Sequence, residues 1–338
     1  MKIKRKELLD ALKAVQPGTA DKDTIQQSSS FVFDKDRVFT YNDEISVSVP
    51  FKLGITASVP AKEFQSLVNK LNKEEITIEI DGQELRISSG KSIAGLRIED
   101  EIKLPLEELG AAENWIDLPA DFDKAVKECL FSCGKDQTKF LLTHIHVKDD
   151  FVESSDGYRA TRYSMKEVKK GTFDNPFLIP LAAAKHVVTY QPTEYAFTDG
   201  WIHFRNEADE VFSCRWPEGE NFPDLDLFFD VKGETLSLPE ELIGMMDRGS
   251  VLAEGNRLTI ILEPGTLVIA TENDAGWFEE EAKLDYKGRS LEFDTYPEFL
   301  SSILKMKAAA EVAEKVLKFE TEQMIHVVAL LPIRKRGM

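Results

Sequence analysis

The sequence predicts an α+β fold in which one unit is repeated three times. Three observations predict it. Amphipathic helical stripes recur along the chain at near-constant spacing, a proline stands at the head of every second stripe, and two Asp-Gly turn signals lie 118 residues apart.

The first stripe of each repeat begins at Arg5, Ala120 and Pro239. Leu8, Leu9, Leu12 and Val15 share one helical face, as do Phe122, Ala125, Val126, Cys129 and Leu130, and then Leu242, Ile243 and Met246. Spacings of three and four residues bring side chains onto one side of a helix, which must then bury that side. The second stripe begins at Pro60, Pro180 and Pro297, following the first by 55, 60 and 58 residues. Proline suits a first helical turn because its missing N–H has no intrahelical acceptor there. Phe64, Leu67, Val68 and Leu71 form the stripe in the first repeat, Val187 with Tyr190 in the second, and Phe299, Leu300, Ile303 and Leu304 in the third.

After each second helix the period changes from 3.6 to 2. Ile76, Ile78 and Ile80 alternate with polar residues, Asp81-Gly82 signals a tight turn, and Leu85 and Ile87 resume the alternation. Tyr195, Phe197, Asp199-Gly200, Ile202 and Phe204 repeat that layout. Val312, Val316, Leu317 and Phe319 hold the same place in the last third, without an Asp-Gly turn. The expected units are residues 1–112, 113–231 and 232–338. The linkers near 107–113 and 230–234 are polar or contain glycine, as boundaries should be.

Composition bounds the function. With 42% hydrophobic residues the 338-residue chain can build real cores, and three cysteines suggest reduced thiols and a cytoplasmic protein. The basic N-terminus lacks the apolar run of a signal peptide, and no stretch approaches 18 apolar residues, so no membrane partner is expected. The net charge of −18 argues against nucleic acid unless the cations are segregated. They are: the six helix-containing segments together carry +5, which leaves −23 for the rest. The third repeat's first helix, at −2, departs from the pattern.

No catalytic constellation emerges: there is no Walker loop, no Gly-x-Ser-x-Gly elbow and no His-Glu-x-x-His. Cys129 with Cys133, and His144 with His146, have spacings that could hold a metal. Neither pair has further ligands at suitable spacing, so core and strand positions are the expected reading and no cofactor is predicted. Two other classes fit the totals, a three-repeat adaptor that ignores nucleic acid and an enzyme whose carboxylates converge between domains.

Four segments then carry a resemblance. Val152-Glu153-Ser154-Ser155-Asp156-Gly157-Tyr158-Arg159-Ala160, Phe222-Pro223-Asp224, the run from Asn273-Asp274-Ala275-Gly276 to Glu279-Glu280-Glu281-Ala282, and the ending Val327-Val328-Ala329-Leu330-Leu331-Pro332-Ile333-Arg334 resemble, in order, segments of the bacterial DNA polymerase sliding clamp, the beta subunit of the replicative polymerase. The chain is shorter than typical members and divergent in places, which admits a phage-encoded clamp.

The resemblance implies three clamp domains per chain, each with two helices on antiparallel sheet, and a homodimeric ring closed head to tail. It implies a non-enzymatic processivity factor that encircles double-stranded DNA without sequence preference and that serves a DNA polymerase and a clamp loader. DNA-facing residues are expected at Lys13, Lys62, Lys70, Lys124, Lys127 and Lys185. Lys22 falls where the family has a DNA-touching Arg, and Phe140 and Leu141 fall where it has two Tyr. The family's partner-peptide pocket maps to Leu142, Ser155, Tyr158, Arg159 and Ala160 on one wall, Pro223, Leu227 and Phe228 on another, and Ala329, Leu330, Leu331, Pro332 and Ile333 in the tail. Tyr158 stands where His is usual, Ala160 where Leu is, and Leu227 where Arg is, which implies a pocket of altered shape and less positive charge.

Overall fold

The architecture is that of a computed structural model, which describes residues 1–23, 25–106, 112–306 and 309–334. Part of the expected first linker, residues 107–111, lies outside the described residues. Among those described are seven α-helices: α1 (Arg5–Val15), α2 (Ala61–Lys70), α3 (Phe122–Cys129), α4 (Leu181–Tyr190), α5 (Asp226–Phe229), α6 (Leu242–Gly249) and α7 (Pro297–Leu304). The six expected helices are all present, and the short α5 is additional. α3 and α6 start two and three residues later than their stripes suggest. Pro119 and Pro239 each open a turn instead, their carbonyls accepting the amides of Phe122 and Leu242 at 3.0 and 3.1 Å.

The chain forms two compact units. One comprises Met1–Asp123 and Glu167–Gly219, the other Lys124–Lys166 and Glu220–Met338. Each therefore draws on the middle third of the sequence as well as on one outer third.

In the first unit, a four-stranded sheet runs in the order Lys2–Lys4, Glu75–Asp81, Glu84–Ser89, Ser92–Arg97. A second, eight-stranded sheet joins strands from distant parts of the chain through the antiparallel pair Ile45–Pro50 and Val211–Arg215, where Val47 faces Phe212 and Ser46 faces Ser213. Leu8, Leu12 and Val15 of α1 and Phe64 and Val68 of α2 are fully buried beneath these sheets. The Phe64 ring meets Phe31 and Phe33 edge-on at 6.4 and 6.0 Å. Burial of one such side chain stabilises by about 1.5–3 kcal/mol, so the stripes read from the sequence are what hold the helices down. The Tyr190 hydroxyl at the end of α4 donates to the Ala14 carbonyl of α1. Both Asp-Gly signals turn hairpins as expected, with Gly82 and Gly200 at φ +60 and +68°, a region that favours glycine.

In the second unit, strands run in the order His144–Lys148, Phe151–Ser155, Arg159–Ser164, Met324–Ala329, Val316–Glu320, Ala309–Val312, Glu234–Leu236. The central pairing sets Arg159 opposite Val328 and Thr161 opposite His326. A four-stranded sheet follows the order Gly276–Lys283, Thr266–Asn273, Leu258–Glu263, Leu291–Thr295. Leu242, Met245 and Met246 of α6 and Leu300 and Ile303 of α7 supply its core. The tail ties the two sheets of this unit together. Leu330 N–H donates to the Lys315 carbonyl, while Leu331 and Asp294 exchange backbone hydrogen bonds of 2.9 and 3.0 Å. Arg334 donates its backbone N–H to the Asp294 carboxylate and its guanidinium to the Glu254 carbonyl. No described helix is long and apolar enough to cross a membrane.

Candidate nucleic-acid interface and peptide-docking site

The lysines expected to face DNA are all exposed and lie off the buried stripes. In the first unit, Lys13 lies on α1 away from Leu8, Leu12 and Val15, Lys62 and Lys70 flank the buried Phe64 and Val68 on α2, and Lys185 occupies α4 beside buried Ala183, Ala184 and Val187. Lys22 lies in the loop after α1. In the second unit, Lys124 and Lys127 project from α3 while Ala125, Val126 and Cys129 are buried. Lys124 Nζ is 5.4 Å from the centre of the Tyr163 ring, so part of its charge already has a partner. Phe140 is 49% exposed within the 3-10 helix Gln137–Thr143, and its carbonyl meets the Thr143 hydroxyl at 2.7 Å and His144 Nδ1 at 3.0 Å. Leu141 is half-buried. On α6, the helix segment of negative charge, Arg248 forms a two-point ion pair with Glu280 at 2.6 and 2.8 Å.

Of the expected pocket residues, Ser155, Tyr158 and Arg159 share one tight turn, whereas Ile333 lines a separate hollow with Glu254, Arg257 and Asp294. Asp156 Oδ1 accepts the amides of Tyr158 and Arg159, and its Oδ2 accepts Arg159 Nε at 3.0 Å. The Ser155 hydroxyl donates to the Arg159 carbonyl and accepts from Gly157 N–H, which locks the turn. Tyr158 is left 43% exposed, stacked on Phe299 at 6.3 Å, with its carbonyl accepting Ala329 N–H at 2.8 Å. Leu142, Tyr158, Lys135, Lys139, Asp136 and Asp156 line a hollow of about 250 Å³. Ala160 packs with Leu225, Phe229 and Val327 in a small core that Phe222 and Ile325 extend. Ser155, Ala160 and Leu331 are buried, so they shape the site from beneath, whereas Tyr158, Pro223, Leu227, Phe228, Pro332 and Ile333 reach the surface. Leu330 is half-buried along the tail.

The structure adds partners that sequence reasoning missed. Arg159 lies over Phe299 at 4.5 Å and donates to the Glu298 carbonyl. Glu153, 2% exposed, accepts from Arg162 at 2.7 and 2.9 Å and meets His146 Nδ1 at 2.8 Å. Arg162 in turn reaches Asp226 of α5 at 2.7 Å, and its guanidinium lies over Phe151 and Phe229 at 4.2 and 4.6 Å. His146 thus serves a carboxylate and a stacked Phe222 ring at 4.9 Å. His144 is held by Phe140, and burial pushes its pKa down. Cys129 donates to the Val152 carbonyl, and burial raises its thiol well above the ordinary range. No group of three or more His, Cys, Asp or Glu among the described residues could hold a metal.

Large exposed apolar residues also mark two sheet edges. In the first unit Ile93, 74% exposed, lies on the edge strand Ser92–Arg97, and Ile80 is 41% exposed nearby in that sheet. In the second, Trp277 at 72% lies on the edge strand Gly276–Lys283, and Val251 just after α6 is 78% exposed. Lys91 and Arg97 flank the first edge, and Glu279 and Glu281 project from the second.

No protein-family model and no curated protein matches the chain. Solved structures do. A DNA polymerase sliding clamp from Pseudomonas aeruginosa superposes with a TM-score of 0.85 at 16% identity, over 98% of this chain and 99% of that one. The sliding clamp from Bacillus subtilis gives 0.82 at 19% identity, over 99% of each chain. The DNA polymerase III beta subunit from Thermotoga maritima gives 0.81 at 16% identity, over 98% and 99%. Over nearly its whole length, then, this chain has the fold of the bacterial DNA polymerase III beta sliding clamp.

Proposed function

We propose that this protein is a DNA sliding clamp, a processivity factor without catalytic residues of its own, which encircles duplex DNA and tethers a replicative DNA polymerase. The observation that carries the reading is the correspondence of fold over 98–99% of the chain and 99–100% of the clamp chains. A ring must admit any sequence, so its contacts should go to phosphates, which lysines on exposed helix faces can supply. Lys13, Lys22, Lys62, Lys70, Lys124, Lys127 and Lys185, with Phe140, are the proposed DNA-facing set. Segregation of +5 onto the helix segments of a −18 chain supports that reading, because such a ring would draw duplex into its bore and repel it from its exterior.

Three domains per chain, bounded near residues 112 and 231, and two chains per ring complete the proposal. The apolar edge at Ile93 with Lys91 and Arg97 would meet the edge at Trp277 with Glu279 and Glu281 of a second copy, head to tail, so that the contact closes. The surface around Tyr158, Leu227, Phe228 and Ile333 would receive short peptides from the polymerase and from a clamp loader, in the cytoplasm.

Topology tests the reading. The protein should remain on nicked circular DNA through gel filtration and leave within minutes once that DNA is cut to a linear form. Equal retention on both forms would overturn it.

A further inference from the structure

We infer that the partner peptide of this clamp is cationic, with Lys or Arg flanking its apolar anchor. The inference rests on the docking role proposed for the surface of residues 220–230 and adds the chemistry of what docks there.

That segment is half inserted and half presented. Leu225 and Phe229 are each only 5% exposed and pack with Ala160 and Val327, whereas Leu227 and Phe228 between them are 86% and 54% exposed. An exposed apolar pair on a segment anchored at both ends is a surface held ready for a complementary group.

Charge decides which group. Residues 220–230 carry Glu220, Asp224, Asp226 and Asp230 and no Lys, Arg or His. The cation that meets the segment from the sheet is Arg162, and its charge is consumed: it contacts the Asp226 and Glu153 carboxylates at 2.7 Å each, beneath the Phe151 and Phe229 rings. One guanidinium thus answers two carboxylates, and the segment keeps a net negative field. In the hollow beside Tyr158, Lys135 and Lys139 stand with Asp136 and with Asp156, which is already paired with Arg159, so the negative wall is the one made by residues 220–230. Apolar anchors therefore enter beside a wall of one sign, where flanking cations are attracted and flanking carboxylates repelled.

The test uses the full chain and three fluorescent peptides that share a Leu-Phe anchor, flanked by Lys, Gln or Glu, with anisotropy read at low and high salt. At low salt the Lys-flanked peptide should bind about ten-fold or more tighter than the Glu-flanked one, and high salt should shrink that ratio. D224N with D230N should narrow the ratio toward one, and L227S with F228S should weaken all three peptides. Equal affinities, or tightest binding of the Glu-flanked peptide, would overturn the cationic preference and leave the docking reading standing. If no peptide binds the unaltered protein, or if all three survive L227S with F228S, the docking reading itself fails and the inference falls with it.

Discussion

Replacing Arg162 by Leu should destabilise the second unit by about 3–5 kcal/mol, the cost typical of breaking a buried ion pair from one side. The magnitude follows from Glu153, whose side chain is 3% exposed and whose carboxylate would keep only His146 as a partner. At about 2–4 °C per kcal/mol for a unit of this size, the midpoint of its thermal transition at pH 7 should fall by about 6–20 °C. The double variant E153Q/R162L should recover much of that loss, because no charge is then stranded. Asp226, the outer arm of the network, has a 70% exposed side chain, so D226N should cost under about 1 kcal/mol. The same variant should still speed amide exchange across residues 220–230, which Asp226 ties to the sheet. Circular dichroism melts with hydrogen exchange measure all three variants. A loss below about 1 kcal/mol for R162L, or a double variant as unstable as the single, would refute the account of Glu153 as a buried charge that depends on Arg162.

Acid should weaken the first unit through His203. Burial lowers its pKa from 6.5 to about 4, and its ring nitrogens each meet a hydroxyl, of Thr198 and Ser213, at 2.7 Å. Between those values the unfolded chain takes up a proton that the folded one refuses, so stability present above pH 6.5 declines toward pH 4, by up to about 3 kcal/mol. H203Q should flatten that slope in urea titrations run at several pH values. Charge reversal at Lys62 and Lys70 should reduce retention on circular DNA and make it less sensitive to salt; unchanged retention would place these lysines away from the duplex. I93D or W277D should halve the native mass while leaving the melting transition of each unit in place, because both residues are exposed and contribute little to the cores; an unchanged dimer mass would move the contact elsewhere.

Local chemistry made the helices and hairpins legible in advance. Pro60, Pro180 and Pro297 each stand at or one residue before the first turn of a helix, and the hairpins at Gly82 and Gly200 turn where the sequence calls for positive φ. The delayed starts of α3 and α6 depend on a carbonyl three residues back, which a search for apolar stripes does not weigh. The candidate docking site was legible only in outline. Tyr158 and Ala329 meet by strand register, but Phe299 belongs to a helical stripe in the sequence, and nothing in its spacing says that its ring lies under both Tyr158 and Arg159. The Glu153, Arg162 and Asp226 network spans residues up to 73 apart in sequence and becomes visible only when the sheet is assembled. Burial of Ser155, Ala160 and Leu331 likewise depends on what lies above them, which no local pattern encodes.

The position of the strand Met324–Ala329 has a consequence for synthesis. It occupies the middle of its sheet, between Arg159–Ser164 and Val316–Glu320. A ribosome that has just released Arg159–Ser164 must still add about 160 residues before that neighbour exists, which at about 5–20 residues per second takes roughly 10–30 s. Through that interval the nascent strand offers an open row of amides and carbonyls to any other chain, whereas the strands of the first unit are all made by Arg215, about 50 residues into it, and can then pair with one another. Nascent chains stalled between residues 220 and 320 should therefore be the ones that trigger-type chaperones hold and that aggregate when those chaperones are withdrawn.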